Sequence, residues 1–283
     1  MTAPARLPNF LHLGPGKSGS TWLHEVLILH PEVYLTSAKD LYFFSRYYDR
    51  GVPWYASHFR DASENQRVVG EICPDYLVHP HAPERISATL GPKVSLMVTL
   101  RDPVERAFSS YLYLGKHGRA GPTFRETLQT RPELLAEGRY GTLLGRYLSY
   151  FPAAQIHVAT FDELEADPQR FLDGVTSWLD IARQPLDQAL VEPRLSASAA
   201  RFQPVATLAQ AAADWVRKHD GAEIVGKIKR SPLVQRALYR PLGDQRPTVP
   251  EEDARWIREQ LAAELATVEE LFGVPVTSRW GWQ

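Results

Sequence analysis

The sequence predicts an α/β protein, a central parallel sheet covered by helices on both faces. Three observations predict it. From Asn9 to Leu179, short apolar runs bounded by turn residues alternate with amphipathic helical stretches. The clearest run, VSLMVTL at 94–100, has seven residues and no charge, as a strand buried on both faces requires. A glycine-rich turn joins the first strand to the first helix, a junction typical of α/β folds.

Each element has its own signal. Asn9 to Leu13 is a short apolar strand ending in Gly14-Pro15-Gly16. A helix follows from about Ser20 to His30, with Trp22, Leu23, Val26, Leu27 and Leu29 as its apolar face, and Pro31 stops it. Val33 to Thr36 is a second strand, and Val68 to Cys73 a third, closed by Pro74. After Val94 to Leu100, helical signal resumes at Pro103, a good first-turn residue, and runs to about Lys116. Ile156 to Phe161 reads as another strand and Pro168 to Leu179 as another helix. Beyond Ile181 the pattern changes. Residues 182–203 are polar and small, 204–218 read as helix, and 231–250, with four prolines, read as loop. A last amphipathic helix spans Glu251 to Phe272. This half reads as an elaboration on the sheet. The expectation is one domain over 1–283, with the α/β core at 9–181 and helix and loop over 182–283.

Composition removes several classes. The 283 residues are 44% hydrophobic and 23% charged, which excludes a disordered or collagen-like chain. Thirty-two basic residues against 33 acidic ones leave no global basic field, so no nucleic-acid partner is expected. The single cysteine, Cys73, excludes an internal disulfide and a cysteine-based zinc site. The segment MTAPARLPNFLHLG lacks the apolar core of a signal peptide, and no run reaches the ~18 apolar residues of a membrane span. A soluble, cytoplasmic protein is the expectation.

The turn Gly14-Pro15-Gly16-Lys17-Ser18-Gly19-Ser20-Thr21-Trp22 is built for an anion. Its glycines let backbone N–H groups face a phosphate, and the following helix adds its unpaired N–H groups and partial positive charge. Lys17 supplies a mobile cation; Ser18, Ser20 and Thr21 supply hydroxyls. A plain αβ turn with an N-cap serine would not need all of these. The pattern is not a Walker A loop, because Leu11 stands where that motif has its first glycine. No metal-holding Asp ends a strand, which disfavours a nucleotide triphosphate with Mg²⁺ and gives an expectation of no metal.

A second anion site follows the 94–100 strand. Arg101 stands at its carboxyl end, where ligands of open α/β sheets collect, and guanidinium offers a bidentate fork for phosphate. Ser109 lies about two helical turns further on. Alone, the stretch reads slightly better as a surface pair of Arg101 with Asp102 or Glu105; with the first loop, the anion reading prevails.

Together PGKSGSTWL (15–23) and TLRDPVERAFSSYLY (99–113) resemble the donor-binding signature of sulfotransferases that use 3′-phosphoadenylyl sulfate (PAPS). The segments between them, HPEV (30–33), KDLYFF (39–44), GVPWY (51–55), GEICPDY (70–76) and PERI (83–86), are similar to the glycan branch, including the heparan sulfate enzymes. Later, FP at 151–152, FDEL at 161–164 and the stretch from Leu271 through Trp280 resemble that family's tail. The likeness is specific over 9–113 and loose beyond 180.

The resemblance implies a P-loop NTPase-like sulfotransferase fold and transfer of a sulfuryl group from PAPS to a hydroxyl by in-line displacement. It leaves adenosine 3′,5′-bisphosphate (PAP) as product. By the same resemblance Gly16, Lys17, Ser18, Gly19, Ser20, Thr21 and Trp22 hold the 5′-phosphosulfate and approach the adenine, with Lys17 on the bridging oxygen. Arg101 and Ser109 hold the 3′-phosphate, and Arg201 is a further donor contact. The related enzymes carry Lys-Glu-x-x-Phe-Phe, whose Glu is the base. Here that position is Asp40, one methylene shorter, beside Lys39. Glu71 is the alternative base, then Asp75, His79 and His81. Ile72 replaces a lysine common in the heparan enzymes, and Cys73 reads as a small buried filler.

For the acceptor, residues 42–59 hold eight aromatics. Phe43 and Phe44 read as core; Tyr42, Tyr47, Tyr48 and Trp54 suit a cleft for sugars or aromatic aglycones, with Lys39 and Asp75 beside them. Residues 215–246 carry eight basic against three acidic residues, which serves either an anionic acceptor or a solvated face. The expected acceptor is a hydroxyl-bearing glycan or small natural product. Two alternatives stand: a P-loop kinase-like phosphotransferase using ATP–Mg²⁺, and a non-catalytic nucleotide-binding module.

Overall fold

The computed structural model describes residues 6–187, 190, 198–200, 239–241 and 247–282. The helix expected at 204–218, Arg201 and most of the basic stretch 215–246 lie outside the described residues.

Five parallel strands form the main sheet: β1 (Phe10–Gly14), β2 (Val33–Leu35), β3 (Val68–Ile72), β4 (Ser95–Leu100) and β5 (Ile156–Thr160), in the order β2-β3-β1-β4-β5. All five coincide with the runs read from the sequence. Every residue of β1 and β3 is buried, which explains their continuous apolar character and singles out His12 and Glu71 as polar residues inside them. The order places a topological switch at β1 and β4, neighbours in the sheet whose crossovers leave to opposite sides. The crevice outside the carboxyl ends of such strands is where ligands bind.

The helices are α1 (Ser20–Leu27), α2 (Gly51–Ser57), α3 (Asp75–Val78), α4 (Ala82–Leu90), α5 (Pro103–Lys116), α6 (Phe124–Thr130), α7 (Glu133–Ala136), α8 (Tyr140–Leu148), α9 (Phe161–Ala166), α10 (Pro168–Trp178), α11 (Glu251–Phe272) and α12 (Val276–Arg279). A two-stranded antiparallel pair, β6 (Ser198–Ala200) and β7 (Tyr239–Pro241), completes the elements described.

Local chemistry sets the helix ends. The Asp102 carboxylate accepts from the Val104 N–H at 2.8 Å, and Pro103 opens α5 as expected. Asp167 caps α10 in the same way. Thr160 and Glu163 form a capping box that starts α9 at Phe161, so the residue read as the end of a strand opens a helix. Helix α1 is shorter than its periodicity predicts. It ends at Leu27, and Leu29, expected on its buried face, is 59% exposed.

The chain divides into two compact units. The first comprises Met1–Arg101, Arg139–Arg194 and Ala263–Gln283; the second comprises Asp102–Gly138 and Leu195–Ala262. The first holds the five-stranded sheet. Its last segment closes on the core: Arg279 pairs with Glu163 at 2.8 Å, the Trp280 indole donates to Asp162 at 2.7 Å, and Glu264 accepts from the Thr142 N–H and hydroxyl at 2.7 and 2.9 Å. In the second unit, Arg106 of α5 is fully buried, pairs with Glu137 at 2.6 Å and donates to the Leu134 carbonyl.

Candidate active site

The glycine-rich loop leaves β1 at the carboxyl edge of the sheet. Gly14 has φ +116, and a Cβ there would sit 2.6 Å from the Pro74 carbonyl oxygen, so only glycine fits. Lys17, a non-glycine residue, is held in the left-handed region at φ 71. Gly19, at φ 83, opens α1, and a Cβ there would lie 2.6 Å from Leu164. Gly16, by contrast, faces open space. The Ser18 hydroxyl is buried with no hydrogen-bond partner, a donor the loop itself does not use. The acceptance of a phosphate by such a loop needs unspent N–H and O–H groups around an open space, and these residues fit it.

Arg101 closes the loop from the neighbouring strand. One of its guanidinium nitrogens donates to the Lys17 carbonyl at 3.1 Å, and its plane lies 4.6 Å over the Phe161 ring. The Tyr140 hydroxyl donates to the Arg101 carbonyl at 2.7 Å. The two anion-binding segments read from the sequence therefore meet, because β1 and β4 pair directly. Ser109 lies half-buried on α5, in the second unit. Trp22 is only 4% exposed; its indole donates to the Leu190 carbonyl at 2.8 Å and its ring packs edge-on to Phe171.

The segment after β2 also reaches the loop. The Lys39 ammonium donates to the hydroxyls of Ser20 and Thr21 at 3.0 and 3.2 Å. Read from sequence as an acceptor-side cation, Lys39 contacts the glycine-rich loop instead. Asp40 follows it at φ 66, a conformation Asp adopts more readily than most residues. Its N–H donates to the Ile72 carbonyl at 3.1 Å, and its Oδ1 is buried with no hydrogen-bond partner.

Glu71, fully buried in β3, is gripped from three directions. The Tyr55 hydroxyl donates to Oε2 at 2.8 Å, the Tyr76 hydroxyl to both oxygens at 2.8 and 3.0 Å, and the Leu41 N–H to Oε1 at 3.0 Å. Burial, outweighing those bonds, pushes its carboxyl up to about 7. Tyr55 and Tyr76 were not singled out by sequence reading; each looks like core, and each is fully buried. His12, beside Ile72 in the sheet, is also buried, bonded to the Thr99 hydroxyl at 3.1 Å and pushed down to about 3 by desolvation and by the Lys39 charge. Cys73 is a buried thiol pushed up by desolvation and then by Glu71, consistent with a filler.

In the aromatic segment 42–59, Phe43 and Phe44 are fully buried, as expected, with Tyr55 stacked on Phe43 at 4.3 Å. The half-buried rings carry arginines: Arg46 lies 4.3 Å over Tyr42, Arg50 4.8 Å over Trp54 and Arg85 4.7 Å over Tyr48. Asp75 is held by Arg46 through bonds of 3.0 and 3.3 Å. His79 and His81 sit with ring centroids 5.9 Å apart. Among the described residues no group of three or more His, Cys, Asp or Glu is placed to hold a metal ion. No described helix is long and apolar enough to cross a membrane.

A family model described as "Sulfotransferase domain" matches residues 7–217. The chain belongs to the sulfotransferase family. The match favours sulfuryl transfer over the kinase alternative. This sulfotransferase is 42% identical over 107 residues to the "Membrane-associated sulfotransferase kil1" of Dictyostelium discoideum, covering 37% of this chain and 22% of that one. It is 31% identical over 191 residues to the human "Heparan sulfate glucosamine 3-O-sulfotransferase 6", covering 65% and 55%. It matches the human "Bifunctional heparan sulfate N-deacetylase/N-sulfotransferase 3" at 31% identity over 199 residues, covering 62% of this chain and 22% of that one. The chain thus spans between about a fifth and about half the length of these curated relatives. Among solved structures, a sulfotransferase from Alicyclobacillus acidocaldarius superposes with a TM-score of 0.58 at 24% identity, over 82% of this chain and 99% of that one, which shows the shared fold.

Proposed function

We propose that this chain transfers a sulfuryl group from PAPS to a hydroxyl of a glycan or small natural product, with PAP as the second product. The single observation that carries the reading is the Arg101 guanidinium bonded to the Lys17 carbonyl, which joins two anion-binding segments at the topological switch. The donor, when bound, supplies an electrophilic sulfur and a phosphate leaving group. Gly16, Lys17, Ser18, Gly19, Ser20 and Thr21 hold the 5′ end, and Arg101 holds the 3′-phosphate. Lys17 offsets the charge that grows on the leaving oxygen. Asp40 takes the acceptor's proton as the new S–O bond forms, the buried and unpartnered Oδ1 being the oxygen free to do so. Half-buried Tyr42, Tyr48 and Trp54 line the acceptor side.

Calorimetry decides the donor. PAP is expected to bind without metal at least tenfold more tightly than ATP–Mg²⁺. Equal or tighter binding of ATP–Mg²⁺ overturns the reading in favour of a phosphotransferase.

A further inference from the structure

We propose that Glu71 is a positioning residue whose buried carboxylate, held by the Tyr55 and Tyr76 hydroxyls, clamps the turn Lys39–Leu41 and so keeps the Lys39 ammonium on the phosphate loop and Asp40 beside it. The inference rests on the donor reading above and assigns Glu71 a part other than that of base.

Four observations carry it. Glu71 accepts from Tyr55, Tyr76 and the Leu41 N–H, so both oxygens are spent. A base needs an oxygen free to take the acceptor's proton, and both oxygens of Glu71 are already bonded. The next backbone N–H, that of Asp40, is bound to the Ile72 carbonyl, so β3 holds two consecutive residues of the turn. Asp40 and Tyr42 are both left-handed, at φ 66 and 58, a conformation that persists only where surroundings over-determine it. The residue on the other side of the turn, Lys39, spends its ammonium on Ser20 and Thr21. One carboxylate thereby links the sheet to the first turn of α1 through three residues of chain.

The clamp is sensitive to ionisation. The carboxylate accepts from every partner; the carboxylic acid has to donate one proton, and one bond must reverse. The groups facing it are Tyr55 on α2, Tyr76 on α3, Cys73 after β3 and Asp40 in the turn; burial pushes the two phenols and the thiol up, and His12 on the adjacent β1 is pushed down. None of them supplies a cation to hold the proton off.

Amide hydrogen exchange over 37–42, combined with PAP calorimetry, tests it. In Glu71→Gln those amides are expected to exchange at least tenfold faster, while the β4 peptide is unchanged, and PAP affinity is expected to fall about tenfold. Tyr76→Phe, which keeps the ring packed, is expected to move both readouts the same way by less. Wild-type exchange and PAP affinity in both Glu71→Gln and Tyr76→Phe overturn the clamp. So does faster exchange with unaltered PAP affinity, which marks a merely structural contact. A wild type that binds no PAP overturns the donor reading, and the exchange result still decides whether Glu71 holds the turn.

Discussion

At the scale of single residues, the site spends its polar groups unevenly. Arg101, Lys39 and Glu71 are bonded into the protein's own frame, while the Ser18 hydroxyl and one oxygen of Asp40 are buried without partners. Lys39 and Glu71, whose polar atoms hold the frame, are thus distinct from Ser18 and Asp40, each of which keeps a buried oxygen unbonded. On the role proposed for Lys17, Lys17→Ala is expected to lower turnover at saturating PAPS by roughly 10²–10³-fold, read from initial rates. Glu71 makes a stability prediction of unusual sign. Its folded value, about 7, lies above the ordinary 4.5, so the native state binds the extra proton between those values. Its contribution to stability is full below pH 4.5 and is lost as pH rises through 7, by on the order of 3 kcal/mol. Glu71→Gln is therefore expected to lose less thermal stability than the wild type between pH 5.5 and 8, measured by paired melts. A larger loss in the variant would contradict the burial argument.

At the scale of elements, the sequence carried the strands and the loop almost in full, since apolar runs and glycine punctuation are local signals. Phe161 was misread because a capping box at Thr160 and Glu163 competes with the β-rich run before it. Leu29 was misplaced because periodicity does not announce where α1 stops. The places of the glycine-rich loop and Arg101 were legible because each sits beside its own strand. The grip on Glu71 was not: its partners come from α2, α3 and the turn after β2, and nothing in Tyr55 or Tyr76 taken singly distinguishes a clamp from packing. Lys39 reads equally well on either side of the site until its ammonium is seen on Ser20 and Thr21. The loop also makes a prediction as an element. Gly14→Ala forces a left-handed backbone and drives Cβ into the Pro74 carbonyl, 2.6 Å away. Overpacking of this kind costs about 1–3 kcal/mol, so a lower urea midpoint with weakened PAP binding is expected.

At the scale of the whole molecule, the first unit is discontinuous in the chain. Its sheet comes from the first 160 residues, yet Glu264, Arg279 and Trp280 bind Thr142, Glu163 and Asp162. Truncation after Ala262 removes those partners at one stroke and leaves Asp162 and Glu163 at the start of α9 without them. The truncated chain is expected to melt at least several degrees lower and less cooperatively, followed by circular dichroism. The same arrangement sets a schedule for vectorial synthesis. A ribosome will have released all five sheet strands well before the closing segment leaves the exit tunnel, so the nascent sheet must wait with the start of α9 uncovered. Chaperone capture during translation should therefore concentrate in that interval, and slow codons placed there would lengthen the exposure.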